Sequence, residues 1–202
     1  LAIDAFSGDA VPVHLLTVEA FQAYLRHLAP GGVRAVHTSN TFLDLDRVVW
    51  VPAATQPLKA DVEATDGTHR LEMTRLTVTG DPRFSMEALE VERGGLSFTI
   101  DTLRTFRERH PGAALFLLLG ADAAALLPKW REPEGIRGMA EIVVLTRGGG
   151  GLMLPAGVRT LATRRVDVSA TEIRARVRSG RSIRGFVPDA VEAYIAAHGL
   201  YR

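Results

Sequence analysis

Apolar positions along the chain fall into two kinds of run. Short continuous stretches at residues 1–6, 47–51, 115–119 and 141–145 are rich in aliphatic and β-branched side chains and predict buried strands. Between them the spacing turns helical. Val18, Phe21, Leu25 and Leu28 share one helical face, with Thr17 as N-cap and Pro30-Gly31-Gly32 as the stop. Residues 69–78 and 99–109 predict two more helices, the second ending ahead of Pro111-Gly112. Residues 33–36 read as a further strand, and 84–91 alternates with one phase slip near Ala88, which predicts a bulged strand. The segment 53–67 is polar and rich in Thr, Asp and Pro, so it predicts a long loop, a kind of segment that is usually functional inside a compact domain. Ser169-Ala170-Thr171-Glu172 has the capping-box form and should open a helix that runs to Gly180. A last helix is expected from Pro188, a good first-turn residue, to Gly199. Strands alternating with helices predict an α/β fold, a mostly parallel sheet with helices on both faces.

Composition narrows this picture. The 202 residues suit one domain, and 47% hydrophobic with 23% charged residues allows an aliphatic core and excludes disorder for the bulk of the chain. Lys plus Arg (24) nearly cancels Asp plus Glu (23), so a net charge of +1 gives no reason to expect nucleic acid or an anionic membrane as partner. Any anion site must be local. The absence of cysteine excludes disulfides, thiolate metal sites and thiol catalysis. The most apolar stretch, 113–127, is broken by Gly120 and Asp122 and is too short to span a bilayer. The first residue is Leu, and no charged head precedes an apolar signal region; a trimmed start without a targeting peptide and a cytoplasmic location are the expectations.

Several predicted strand ends carry small or polar residues to one edge of the sheet: Gly8, residues 52–55, residues 120–122 and residues 169–171. In open α/β folds this is the edge where nucleotides bind. Ser169, Thr171 and Arg174 form the clearest local pattern, because free amides at a helix start, two hydroxyls and a guanidinium one turn later converge on one anion, phosphate above all. A capped helix with a solvated basic face, continued by Arg176, Arg178, Arg181 and Arg184, accounts for the same residues.

From about residue 46 onward the chain resembles bacterial nicotinate-nucleotide adenylyltransferases. The resemblance is carried in order by Leu45-Asp46-Arg47-Val48 with Val51-Pro52-Ala53, the loop from Thr55 to Lys59, and His69-Arg70-Leu71-Glu72-Met73. It continues through Ser97-Phe98-Thr99-Ile100-Asp101-Thr102-Leu103, Gly120-Ala121-Asp122 with Trp130, Val168-Ser169-Ala170-Thr171-Glu172-Ile173-Arg174, and Val187-Pro188 to Tyr201. It implies a Rossmann-like nucleotidyltransferase fold. The implied reaction is adenylyl transfer from ATP to nicotinate mononucleotide, giving deamido-NAD and pyrophosphate with Mg²⁺ present. It also implies that Ser169, Thr171 and Arg174 hold the ATP phosphates and that Thr99, Asp122 and Trp130 surround the nicotinate nucleotide, with Trp130 stacked on the pyridine ring. Lys59 would neutralise a phosphate from its loop, whereas His69 and Arg70 read as structural or solvent-facing. The implied partners are small-molecule nucleotides, with homo-oligomer formation left open.

The N-terminal segment departs from the family. The family opens with a strand and a Gly-Gly-Thr-Phe-Asp-Pro-x-His-x-Gly-His loop facing the ATP phosphates. Here Gly8, Pro12 and His14 match, giving His14 as the candidate catalytic group and Gly8 as a phosphate-loop residue, but Leu16 and Thr17 replace the second Gly and the second His. Loss of such a donor commonly costs on the order of 3 kcal/mol of transition-state stabilisation. Residues 1–45, with Asp4-Ala5-Phe6-Ser7-Gly8-Asp9 and Pro30-Gly31-Gly32-Val33, are more similar to a strand-helix-strand piece of spermidine-synthase-like proteins of the methyltransferase fold. On that reading His14 matches by accident, and the single domain 1–202 carries an atypical, fused β-α-β segment at 1–45. Two rival functions follow: an aminopropyl-transferase-like enzyme, which would lack the glycine loop for its cofactor, and a nucleotide-binding remnant without transfer activity.

Overall fold

A computed structural model describes residues 2–5, 47–59, 64–146, 155–162 and 168–202, with 2–5, 59 and 162 described by backbone alone. Gly8, His14, Thr17, the helix expected from Val18 and the strand expected at 33–36 lie outside the described residues. The strands are β1 (Ala2–Ala5), β2 (Val48–Val51), β3 (Phe84–Met86), β4 (Phe116–Gly120), β5 (Glu141–Thr146) and β6 (Arg159–Ala162). All pair in parallel in the order β3-β2-β1-β4-β5-β6. That order reverses between β1 and β4, the position at which open α/β sheets open a ligand crevice beyond the carboxyl ends of the strands.

The sequence of the strands explains their burial. Val-Val-Trp-Val in β2 and Phe-Leu-Leu-Leu in β4 are continuous apolar runs because a parallel sheet is covered on both faces. Alternate residues divide between the two covers. Val49, Val51, Leu117, Leu119, Ile142 and Val144 belong to the main core with Ile100, Leu103 and Phe106 of helix α3 (Thr99–Arg109) and Ile136 of helix α5 (Pro133–Met139). Trp50 turns to the other face with Val78 of helix α1 (Gly67–Val78), and Leu118 and Val143 meet Leu161 there. A separate apolar cluster joins Met73 of α1 to Ile173 of helix α6 (Ala170–Arg178) and to Val191 and Ile195 of helix α7 (Asp189–Ala197).

The segment 84–91 corrects the expectation of one bulged strand: β3 stops at Met86, and Leu89–Arg93 forms a short helix, α2. Alternation cannot be told from one helical turn over so few residues, and β3 reaches only three. Helix α4 (Ala121–Ala125) starts directly from β4. Pro188 caps α7 rather than occupying its first turn. Strand β1, from the segment that departs from the family, is not an appendage. Ala2, Ile3 and Asp4 pair with β2 on one side and β4 on the other. Among the described residues no helix is long and apolar enough to cross a membrane.

Candidate active site

Beyond the carboxyl end of β2 lies a cleft lined by Gln56, Leu58, Ser97, Thr99, Trp130 and Arg131. Pro52, with no amide hydrogen to donate, follows β2, and the chain then runs out as the first wall. This wall is held from two sides. The Arg70 guanidinium of α1 donates to the carbonyls of Ala53, Ala54 (2.9 Å) and Thr65 (2.8 Å), tying both ends of the long loop to one side chain. Thr55 forms a parallel bridge with Leu96, and the Ser97 amide donates to the Thr55 carbonyl at 2.8 Å. Arg70 therefore takes the structural one of the two roles expected for it and His69, and so does His69, which is half-buried with its Nδ1 2.9 Å from the Tyr194 hydroxyl.

The second wall depends on two glycines. Gly94 (φ 70°) and Gly95 (φ 68°) both adopt the left-handed backbone that a Cβ disfavours, and they reverse the chain after α2. Ser97 and Phe98 then lead into α3, whose first residue is Thr99. The third side is Trp130, half-buried and packed on the main core, followed by Arg131 with its guanidinium 4.8 Å from the centre of the Phe98 ring. Glu132, the N-cap of α5, is left-handed (φ 52°), an uncommon state for a non-glycine residue. Its carboxylate accepts from Arg104 at 2.6 Å, an exposed pair that joins α3 to the turn after Trp130.

Glu90 of α2 also lines the cleft and is 5% exposed. Its carboxylate accepts from the Thr102 hydroxyl, and the nearby Ser97 oxygen accepts from the Ala54 amide at 2.8 Å. Burial pushes the Glu90 carboxyl above the usual range, against the lowering effect of the Thr102 and Ser97 hydroxyls. Lys129 and Arg131 supply positive charge to the cleft lining, and the Gln56 Oε1 is buried there without a hydrogen-bond partner among the described residues.

Of the residues singled out in the sequence, Thr99 and Trp130 share this cleft. Asp122 is exposed in the first turn of α4, just past Gly120 at the end of β4, and does not line it. Lys59 ends a 3-10 turn, Pro57–Lys59, and its side chain is outside the described residues, as are Gly8 and His14. Ser169 and Thr171 are exposed at the start of α6, and Arg174 is half-buried. The Ser169 hydroxyl accepts from the Glu172 amide at 3.1 Å, one half of the expected capping box, while the Glu172 carboxylate accepts from Arg176 at 3.0 Å. Arg176 also lies over the Phe186 ring at 4.1 Å, so part of the basic face packs on the protein. The residues missed in the sequence are Glu90, Ser97 in its bridging role, and the Glu132–Arg104 pair. The doublet Gly94-Gly95 was the available signal, because a helix stop there places a short helix, and Glu90 with it, immediately upstream. Among the described residues no group of three or more His, Asp or Glu could hold a metal ion, so the protein offers no cage for Mg²⁺ there.

Comparison with known proteins places this geometry. The cytidylyltransferase-like family profile matches residues 30–176. A protein of Gemmatimonas aurantiaca named "Probable nicotinate-nucleotide adenylyltransferase" is 48% identical over 170 residues, covering 79% of this chain and 80% of its own. A protein of Thermus thermophilus with the same name is 40% identical over 203 residues, covering all of both chains. A solved structure, the Plasmodium falciparum nicotinic acid mononucleotide adenylyltransferase complexed with NaAD, superposes with a TM-score of 0.69 at 16% identity over 99% of this chain and 96% of that one, and so bears on the fold. The likeness of residues 1–45 to spermidine-synthase-like proteins finds no support in these comparisons, and the Thermus relative aligns across that segment as well.

Proposed function

The chain belongs to the nicotinate-nucleotide adenylyltransferase family, and on that premise we propose that it joins nicotinate mononucleotide to the adenylyl group of ATP, releasing pyrophosphate, in NAD biosynthesis. The observation that carries this reading is the cleft in which Thr99 and Trp130 meet beyond the carboxyl end of β2, beside a sheet whose strand order reverses between β1 and β4. In the reaction a phosphate oxygen of the mononucleotide attacks the α-phosphorus of ATP, the new P–O bond forms, the bond to the β-phosphate oxygen breaks, and pyrophosphate carries away the electron pair. No covalent enzyme intermediate is needed, so positioning and charge stabilisation supply the catalysis.

On this reading Trp130 stacks on the pyridine ring, with Thr99 on the facing wall and Lys129 and Arg131 favouring an anionic guest. Ser169, Thr171 and Arg174 hold ATP phosphates at the amino end of α6. Asp122 approaches the nucleotide from the end of β4 and Lys59 a phosphate from its loop, while His14 and Gly8 belong to the phosphate loop after β1. Magnesium arrives as the Mg·ATP substrate, held by the phosphates, in keeping with the reluctance of that ion to exchange water for protein ligands. We read residues 1–202 as one domain, because β1 is paired on both sides within the sheet, and we place the reaction in the cytoplasm with its metabolite substrates. Purified chain with ATP and Mg²⁺ should form deamido-NAD and pyrophosphate from nicotinate mononucleotide. Binding of both substrates without product would instead mark the nucleotide-binding remnant, and product from nicotinamide mononucleotide alone would reverse the proposed preference for the acid.

A further inference from the structure

An extended chain turns successive carbonyls to opposite sides, because its backbone is pleated. The carbonyls of Ala53 and Ala54 nevertheless both accept from Arg70, the first from Nη1 and the second from Nη2 at 2.9 Å, and the chain bends at Ala54. Ser97 of the second wall takes two further groups of the same segment: its oxygen accepts from the Ala54 amide and its amide donates to the Thr55 carbonyl, each at 2.8 Å. This bend is what delivers Gln56 and Leu58 to the cleft. The Arg70 Nε completes the hold by donating to the Thr65 carbonyl at 2.8 Å, so three nitrogens of one planar fork hold three carbonyls. Arg70 itself stands on a fixed base. The Asp66 carboxylate caps α1 by accepting from the Thr68 amide at 2.8 Å. Gly67 then lets the helix start approach α2 closely, since a Cβ there would lie 2.8 Å from Cγ1 of Val91 and 3.6 Å from Nη2 of Arg70. Helix α2 leads through Gly94-Gly95 into Ser97, so the residue that carries the first wall stands against the element that precedes the second.

We propose that Arg70 is a positioning residue: by holding the bend at Ala54 it sets the first wall of the cleft, and through that wall the affinity for the pyridine mononucleotide. Its effect on binding rests on the adenylyl transfer proposed above; its hold on the bend does not. Lysine at this position keeps the charge but is a compact ammonium on a flexible stem, which cannot reach three carbonyls in one fixed geometry.

The test compares wild type with Arg70→Lys and Arg70→Ala, all in the full chain, by steady-state kinetics and by amide hydrogen exchange. In Arg70→Lys the KM for nicotinate mononucleotide should rise about tenfold, the effect of losing roughly one hydrogen bond made by a charged donor, while kcat and the KM for ATP stay near wild type. The Ala54 amide should exchange about tenfold faster, with the Ile173 amide of α6 unchanged, as expected for a local opening. Arg70→Ala should enlarge both effects. An unchanged mononucleotide KM in Arg70→Ala would overturn the proposal, whether or not Ala54 exchanges faster. So would equal rises in both KM values with faster Ile173 exchange, which would show general loosening. If the wild-type chain makes no dinucleotide, the adenylyl-transfer reading fails by itself, and Ala54 exchange in Arg70→Lys still decides whether Arg70 holds the bend.

Discussion

The cleft and the amino end of α6 would grip the two substrates of one reaction, yet they are built on opposite terms. At α6 the binding groups are local: Ser169 caps Glu172 three residues away, both hydroxyl-bearing residues are exposed, and the helix rests on its own cluster of Met73, Ile173, Ile183, Val187, Val191 and Ile195. At the cleft, among the described residues, the walls meet through long-range contacts such as Ala54 to Ser97 across 43 positions and Arg104 to Glu132 across 28. Phosphate is a compact, highly charged guest that a helix end attracts without a shaped pocket. A flat aromatic ring gives little direction to its binding, so the walls must supply the shape.

The sharpest challenge to that contrast is Ile173→Ala. It should destabilise the chain by about 2–5 kcal/mol in denaturant unfolding, because a fully buried branched side chain is lost. Exchange protection should fall around α1, α6 and α7 and hold at Ala54 and Ser97. Equal loss in both regions would show one cooperative core, not two. Arg174→Ala should next weaken ATP by roughly 1.5–3 kcal/mol in titration calorimetry while the mononucleotide affinity holds, the value of a hydrogen bond to a charged group. Trp130→Ala should do the reverse, costing about 1–3 kcal/mol of mononucleotide binding, the usual worth of an aromatic stack, with ATP unaffected. Ser169→Ala should lower stability by about 1 kcal/mol for the lost cap, and any further loss of ATP affinity measures its phosphate contact.

The smallest effects lie in the pH dependence of melting, where two carboxyls act in opposite directions. Glu90 has a raised folded-state pKa, so it takes up its proton in the native state first. The stability tied to its protonated form is present in acid and declines as pH rises from the ordinary carboxylate range through its raised value. Asp81 is held below the ordinary range by its hydrogen bonds from Arg83, so its contribution is present above that range and is lost as pH falls through its lowered value. The melting temperature of Glu90→Gln relative to wild type should therefore climb between about pH 4 and neutrality, whereas that of Asp81→Asn should fall as pH rises toward about pH 4 and stay level above it.

How much of this was legible in the sequence follows from the same contrast. The amino end of α6 was, because a capping residue, its partner and a basic turn sit within six positions of one another. The central strands were, because parallel strands buried on both faces are continuous apolar runs. Strand β6 was not: Arg-Thr-Leu-Ala at a sheet edge carries one large aliphatic side chain and no period. Helix α2 was hidden inside an apparent alternation, and Glu90 with it, since a carboxylate in a charged stretch looks solvated until Thr102 and Ser97 are brought to it by the fold. Trp130 and Thr99 could be named only through family resemblance, because nothing local to either residue says that they face one another.

The position of β1 also has a consequence for how the protein is made. Residues 2–5 occupy the middle of the sheet, yet their partner on one side is β4, with Ala2 opposite Phe116. Contacts so distant along the chain close slowly, and during vectorial synthesis the early strand waits, half its edge unpaired, until β4 leaves the ribosome. The central strand of the finished sheet is thus the one exposed longest on the nascent chain, where chaperone capture or mispairing would first be felt.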